Sequence, residues 1–153
     1  MALEPEEWEL WHAWMRAQRL LARELDRDLQ RDHGITKAEF SVLVTLHQAP
    51  GGELRVGALV ESLSWEKSRV SHQLTRMENR GLVERTGNET AGRRTRIGLT
   101  PQGREAVRTA INGHAGNIRR HFFDVVTPEQ TEAIRAWSEQ TINRIEPGAA
   151  DPV

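Results

Sequence analysis

Between residues 56 and 100 the spacing of apolar residues changes from helical to strand-like, and that change limits the fold to very few architectures. Val56, Leu59, Val60 and Leu63 follow the i, i+3, i+4, i+7 rule of a short helix. Ser64 is placed to cap the next helix, with Glu66 in its first turn facing the positive dipole end. In that second helix Val70, Leu74 and Met77 form a narrow apolar stripe, which leaves Ser68, Arg69, Ser71, His72, Gln73, Thr75 and Arg76 mostly outside. Gly81 suits the left-handed position just past the helix end. Residues 82–86 and 96–99 then read as two strands, joined by a turn-rich segment with Gly87, Asn88 and Gly92. Helix, tight turn, helix and basic hairpin is an order suited to duplex DNA, with one helix for the major groove and a loop for the neighbouring groove or backbone.

The flanks are helical. From residue 5 to about 31, Trp8, Trp11, Met15, Leu21, Ala22, Leu25 and Leu29 recur at helical spacings, and Gly34 supplies the stop. Thr36 and Glu39 form a capping box before a helix carrying Phe40, Leu43, Val44 and Leu46, which ends at Pro50-Gly51-Gly52. Residues 53–55 are long enough only for a small strand. Thr100-Pro101 starts a helix of about 25 residues, with Gly113 and Gly116 as interruptions. Thr127-Pro128-Glu129-Gln130 starts the last helix, which carries Ile134, Trp137, Thr141 and Ile145. The expected fold is α+β and predominantly helical, a single domain over 1–153. Residues 36–100 make a winged helix-turn-helix lobe, residues 5–33 and 101–146 a helical lobe built from both chain ends, and residues 147–153 a frayed tail.

Composition excludes several function classes. A chain of 153 residues supports one compact domain with a proper core. It has no cysteine, so disulfides and thiolate metal sites are ruled out. No stretch approaches the roughly 18 apolar residues of a membrane span, and the start MALEPEE lacks a basic signal region, so a cytoplasmic protein without membrane contact is expected. Among six histidines, His114 and His121 share a helix face, but no HExxH or His-x3-His spacing appears and no metal or cofactor is expected. No nucleophile elbow or phosphate-cradling glycine loop is visible, so the chain does not read as an enzyme.

Charge distribution is more informative than the net charge of −1. From residue 66 to 104 there are nine basic and four acidic residues, giving +5 against −6 for the remainder. A basic segment on an acidic body is the footprint of a DNA-binding face. On the second helix of the pair, Arg69 and His72 are the expected base contacts, and Lys67 and Arg76 the expected phosphate contacts. Gln73 has the chemistry for adenine, although it lies close to the buried stripe, and Ser68 and Ser71 suit bases or phosphates. In the hairpin, Arg93 is placed for a narrow minor groove or a phosphate, and Arg94 and Arg96 for phosphates. The large apolar residues of the chain ends (Trp8, Trp11, Trp14, Phe122, Phe123 and Trp137) find a natural outlet in a homodimer. The spacing of the first three suits a packing seam better than an aromatic ligand cage.

These residues resemble the MarR family of bacterial transcription regulators over about residues 5–146. The most specific part is 59–103: a Leu-rich helix, a recognition helix ending Met77-Glu78-Asn79-Arg80-Gly81-Leu82-Val83, the wing, and Leu99-Thr100-Pro101-Gln102-Gly103. The family's wing pattern puts its arginine at Arg93 and its bracing aspartate at Ala91, where this chain departs; Glu89 is the nearest substitute. The resemblance implies an obligate homodimer on double-stranded DNA, with a pseudo-palindromic operator and repression as the expected mode. It also implies a pocket between the two lobes for a small effector, often an anionic aromatic. Trp11, His12, Arg16 and His47 are the expected pocket residues. Two other readings are a winged helix used for protein–protein contact and a constitutive DNA-binding regulator without an effector.

Overall fold

The computed structural model describes residues 2–86 and 95–147, and its elements follow the order expected from the sequence. They are α1 (Pro5–His33), α2 (Lys37–Gln48), a 3-10 turn (Pro50–Gly52), β1 (Glu53–Arg55), α3 (Val56–Leu63), α4 (Lys67–Asn79), β2 (Val83–Thr86), β3 (Arg96–Leu99), α5 (Pro101–Ile118), a π-helical turn (Arg119–Phe123) and α6 (Pro128–Ile145). The chain divides into two compact units, Met1–Asn117 and Ile118–Val153. The first unit holds α1 and nearly all of α5 together with the winged-helix elements. Among the described residues no helix is long and apolar enough to cross a membrane.

Local chemistry sets the helix ends. The Thr36 hydroxyl accepts from the Glu39 amide at 3.1 Å, and the Glu39 carboxylate accepts from the Thr36 amide at 3.0 Å. Thr127 and Gln130 make the same reciprocal pair at the start of α6. Gly34 closes α1 in the left-handed conformation, at φ 63°. One expected cap is corrected. Ser64 does not start α4; it ends α3 at φ 52°, the one positive φ outside glycine among the described residues. The turn between the two helices runs through Ser64, Trp65 and Glu66, and α4 begins at Lys67.

The core lies entirely in the first unit. Leu29 of α1, Val42, Leu43 and Leu46 of α2, and Leu59 of α3 pack with Val70, Leu74 and Met77 of α4; Ile97, Leu99 and Val107 complete it. The three strands form an antiparallel sheet in the order β1-β3-β2, with Glu53 opposite Gly98 and Val83 opposite Leu99. Alternation does the rest: Ile97 and Leu99 point inward, as the period of two requires.

The junction of α4 and α5 explains the Leu-Thr-Pro-Gln-Gly run. The Thr100 hydroxyl donates to the Gly81 carbonyl at 2.6 Å and accepts from the Gly103 amide at 2.9 Å. The start of α5 is thereby bolted to the turn that ends α4. Gly103 has no room for a side chain, because a Cβ there would fall on the Leu82 carbonyl. Gly113 and Gly116 do not interrupt α5, contrary to expectation. A side chain at 113 would collide with the His33 imidazole, and the helix widens only at Arg119–Phe123.

Candidate nucleic-acid interface

α4 is mounted by one face and offers the other. Val70, Leu74 and Met77 are fully buried, while Lys67, Ser68, Arg69, Ser71, His72 and Arg76 are exposed. Side chains on either flank of α4 hold it. Before its first turn, Trp65 is half-buried against the core. After its last turn, the Leu82 amide donates to the Met77 carbonyl at 3.0 Å and the Gly81 amide to the Glu78 carbonyl at 2.9 Å, the paired bonds of a Schellman motif. Arg80 then reaches across: its Nη1 pairs with Glu39 Oε1, and its Nη2 donates to the Gly34 carbonyl at 2.9 Å. Glu39 is 5 % exposed, so its carboxylate serves the α2 capping box and the end of α4 at once.

Two of the residues expected to contact DNA are engaged within the protein. Gln73 is 4 % exposed and does not face outward; its Oε1 accepts from Arg76 Nη2 at 2.6 Å. It therefore orients Arg76, because its position, three after Val70 and four before Met77, lies on the buried face. Arg96 is committed to Glu53, its Nε donating to Oε1 at 2.8 Å, while Thr86 donates to Glu53 Oε2 at 3.1 Å. One carboxylate on β1 thus ties down β3 and β2 at the base of the wing. Arg93 and Arg94, with Glu89 and Ala91, lie outside the described residues. Arg85 of β2 pairs with Glu78 of α4 at 2.6 Å; the exposed cations of α4 itself are Lys67, Arg69 and Arg76. The Arg69 guanidinium lies over the Trp65 ring, 4.0 Å from its centroid. Trp65, Glu53 and the Glu39–Arg80 pair were not foreseen in these roles, although the four-residue spacing of Trp65 and Arg69 is visible in the chain.

A cavity of about 320 Å³ opens where α1, α2 and α5 meet, lined chiefly by Leu21, Leu25, Leu29, Lys37, Phe40 and His114. None of Trp11, His12, Arg16 or His47 lines it; all four are exposed, and the α1 residues involved lie further toward its C-terminus, where it packs on α2. Among the described residues no group of three or more His, Asp or Glu side chains is placed to hold a metal.

The His114 ring packs on Phe40 with centroids 4.9 Å apart, and its Nδ1 is buried without a hydrogen-bond partner among the described residues. Burial, and then the neighbouring His33 and Lys37, push His114 below the ordinary histidine value of 6.5. The unfolded chain therefore takes up this proton first, and stability falls as pH drops below 6.5 toward the folded-state value. Urea midpoints should decrease from about pH 7.5 to about pH 5.5, with His114→Gln flattening part of that slope. An unchanged slope in the variant would assign the acid sensitivity elsewhere.

Comparison with known proteins places this geometry among relatives. Residues 33–94 match the sequence profile of the MarR family. The transcriptional regulator HosA of Escherichia coli O127:H6 is 34 % identical over 109 residues, spanning 71 % of this chain and 78 % of HosA. AbsC from Streptomyces coelicolor, a MarR family transcriptional regulator, is 33 % identical, with a TM-score of 0.81 over 95 % of each chain. Sco3205 from the same organism, a MarR family regulator solved in complex with DNA, is 32 % identical, with a TM-score of 0.84 over 99 % of this chain and 94 % of its own.

Proposed function

Because this chain belongs to the MarR family and is a DNA-binding transcription regulator, we propose that it acts as a cytoplasmic repressor, binding a pseudo-palindromic operator as a homodimer. The observation that carries this reading is α4, whose apolar face is fully buried and whose opposite face presents Lys67, Arg69, His72 and Arg76. That the similar Sco3205 was solved in complex with DNA supports DNA as the partner, and α4 is the element we assign to the major groove. Arg93, between β2 and β3 in the sequence, is the residue we assign to the minor groove or adjacent phosphates.

The homodimer is supported by apolar surface that the single chain leaves uncovered. No residue of α6 is buried, although it carries Trp137, Ile142 and Ile145, and Trp8, Leu10 and Trp11 are exposed on α1. Both chain ends thereby supply the dimerisation surface. The cavity beside Lys37 is the proposed effector site: its walls are mostly apolar, with Phe40 and His114 rings and both Lys37 and Asp26 at its edge, which suits a small aromatic whose binding would shift the chain toward a form with lower DNA affinity.

Footprinting on the promoter upstream of its own or a neighbouring gene tests this reading. Two half-sites about one helical turn (about 10 bp) apart are expected. Arg93→Ala should weaken binding across all sequences and reduce its salt dependence. A footprint on one half-site alone would rule out the symmetric dimer, and unchanged affinity and salt slope in the variant would remove Arg93 from the DNA contact.

A further inference from the structure

We propose that Trp65 is the positioning residue for base readout by Arg69, a stacking platform that holds the guanidinium in the orientation a guanine edge requires. The inference rests on α4 being the DNA-reading helix. Arg69 is the third residue of α4, in the N-terminal turn that approaches base edges in this mode of docking. It is exposed and long, and a free arginine there samples many rotamers. Here its Cζ lies 4.0 Å from the centroid of the Trp65 ring.

The chemistry of the stack is specific. A guanidinium offers its N–H groups in its own plane and its π-face perpendicular to them. Stacking occupies one face and leaves the in-plane fork free for the O6 and N7 acceptors of guanine. Trp65 is itself held, since it is half-buried against the core in the turn between α3 and α4. The indole is therefore a fixed surface on which the arginine fork is laid before DNA arrives. Arg76 is held in a parallel way by Gln73, but through one of its own N–H donors, which stacking does not consume. Arg76 keeps four of its five N–H donors, so the assignment of base reading to Arg69 rests on its place in the N-terminal turn of α4 and on the stack itself.

The test is a selection from random duplex DNA with the full chain, followed by affinities for the selected operator and for operators changed at single positions. Wild type should prefer guanine at one position in each half-site. Arg69→Ala should lose that preference, a change of about 5- to 150-fold, and Arg69→Lys should retain only part of it, since an ammonium donates to guanine without the planar fork. Trp65→Leu should lower the guanine preference about 2- to 5-fold, leaving the other positions unaffected, with Trp65→Phe intermediate. Thermal melts identify variants that fail to fold, in which case Trp65→Phe carries the comparison. The proposal is overturned if Trp65→Leu weakens all operators equally, if it keeps the full guanine preference, or if Arg69→Ala changes no position. A wild-type chain that selects no motif overturns the regulator reading itself, a result distinct from all of these.

Discussion

Leu74→Ala is expected to lower stability by about 2–5 kcal/mol, the cost of a leucine-sized deletion in a tight core. Leu74 is fully buried at the middle of the α4 stripe, between Val70 and Met77 and against the α2 and α3 residues of the same core. Its methyl groups are the main apolar tether of the helix that carries Arg69 and Arg76. Loss of DNA binding should therefore exceed what the unfolded fraction explains, because the remaining native population holds α4 less firmly. Urea denaturation at fixed protein concentration measures the first effect, since a dimer's stability depends on that concentration. Thr75→Ala, one residue away on the exposed face, should fall within about 0.5 kcal/mol of wild type. Similar losses from the two substitutions would contradict the packing described for α4.

The second large effect belongs to Gly103→Ala. The added methyl group would overlap the Leu82 carbonyl, which is backbone and cannot swing aside like a side chain. Either α5 moves away from the turn after α4, or the Thr100 hydroxyl loses its bonds to Gly81 and Gly103. Over-packing of this kind costs about 1–3 kcal/mol, with the upper end expected where the obstacle is main chain. Gly116→Ala is the matched control, since a Cβ there meets nothing within 4 Å and helix propensity favours alanine. A Gly103→Ala chain as stable as wild type would show that the α4–α5 junction yields easily.

Much of the fold was legible because its signals are local. The capping boxes at Thr36 and Thr127, the left-handed Gly34 and Gly81, and the apolar spacing of α3 and α4 each act within about one helical turn. The long-range pairings were not legible. Arg80 finds Glu39 across 41 positions, and Arg96 finds Glu53 across 43. Counting charges from residue 66 to 104 therefore overstated the cations available to DNA, because carboxylates outside that segment neutralise two of them. The burial of Gln73 follows from its place between Val70 and Met77, where helical geometry outweighs the suitability of its amide for adenine. The cavity needed three helices to meet. Leu21, Leu25 and Leu29 look like ordinary core spacing, and only the approach of Lys37 and His114 turns that face into a lined space. Trp65, in the turn before α4, packs against the core and carries the Arg69 guanidinium four residues ahead, a pairing that the apolar spacing alone does not reveal.

The central claim is that α4 and the wing read duplex DNA sequence rather than dock a protein. Its most direct test is the ratio of affinities for the footprinted operator and for random duplex of equal length, measured across a salt series. The account predicts operator binding about 10³-fold or more tighter than random, with both affinities falling steeply as salt rises. Equal affinity for the two duplexes at every salt concentration would contradict it, and would assign the exposed face of α4 to a protein partner.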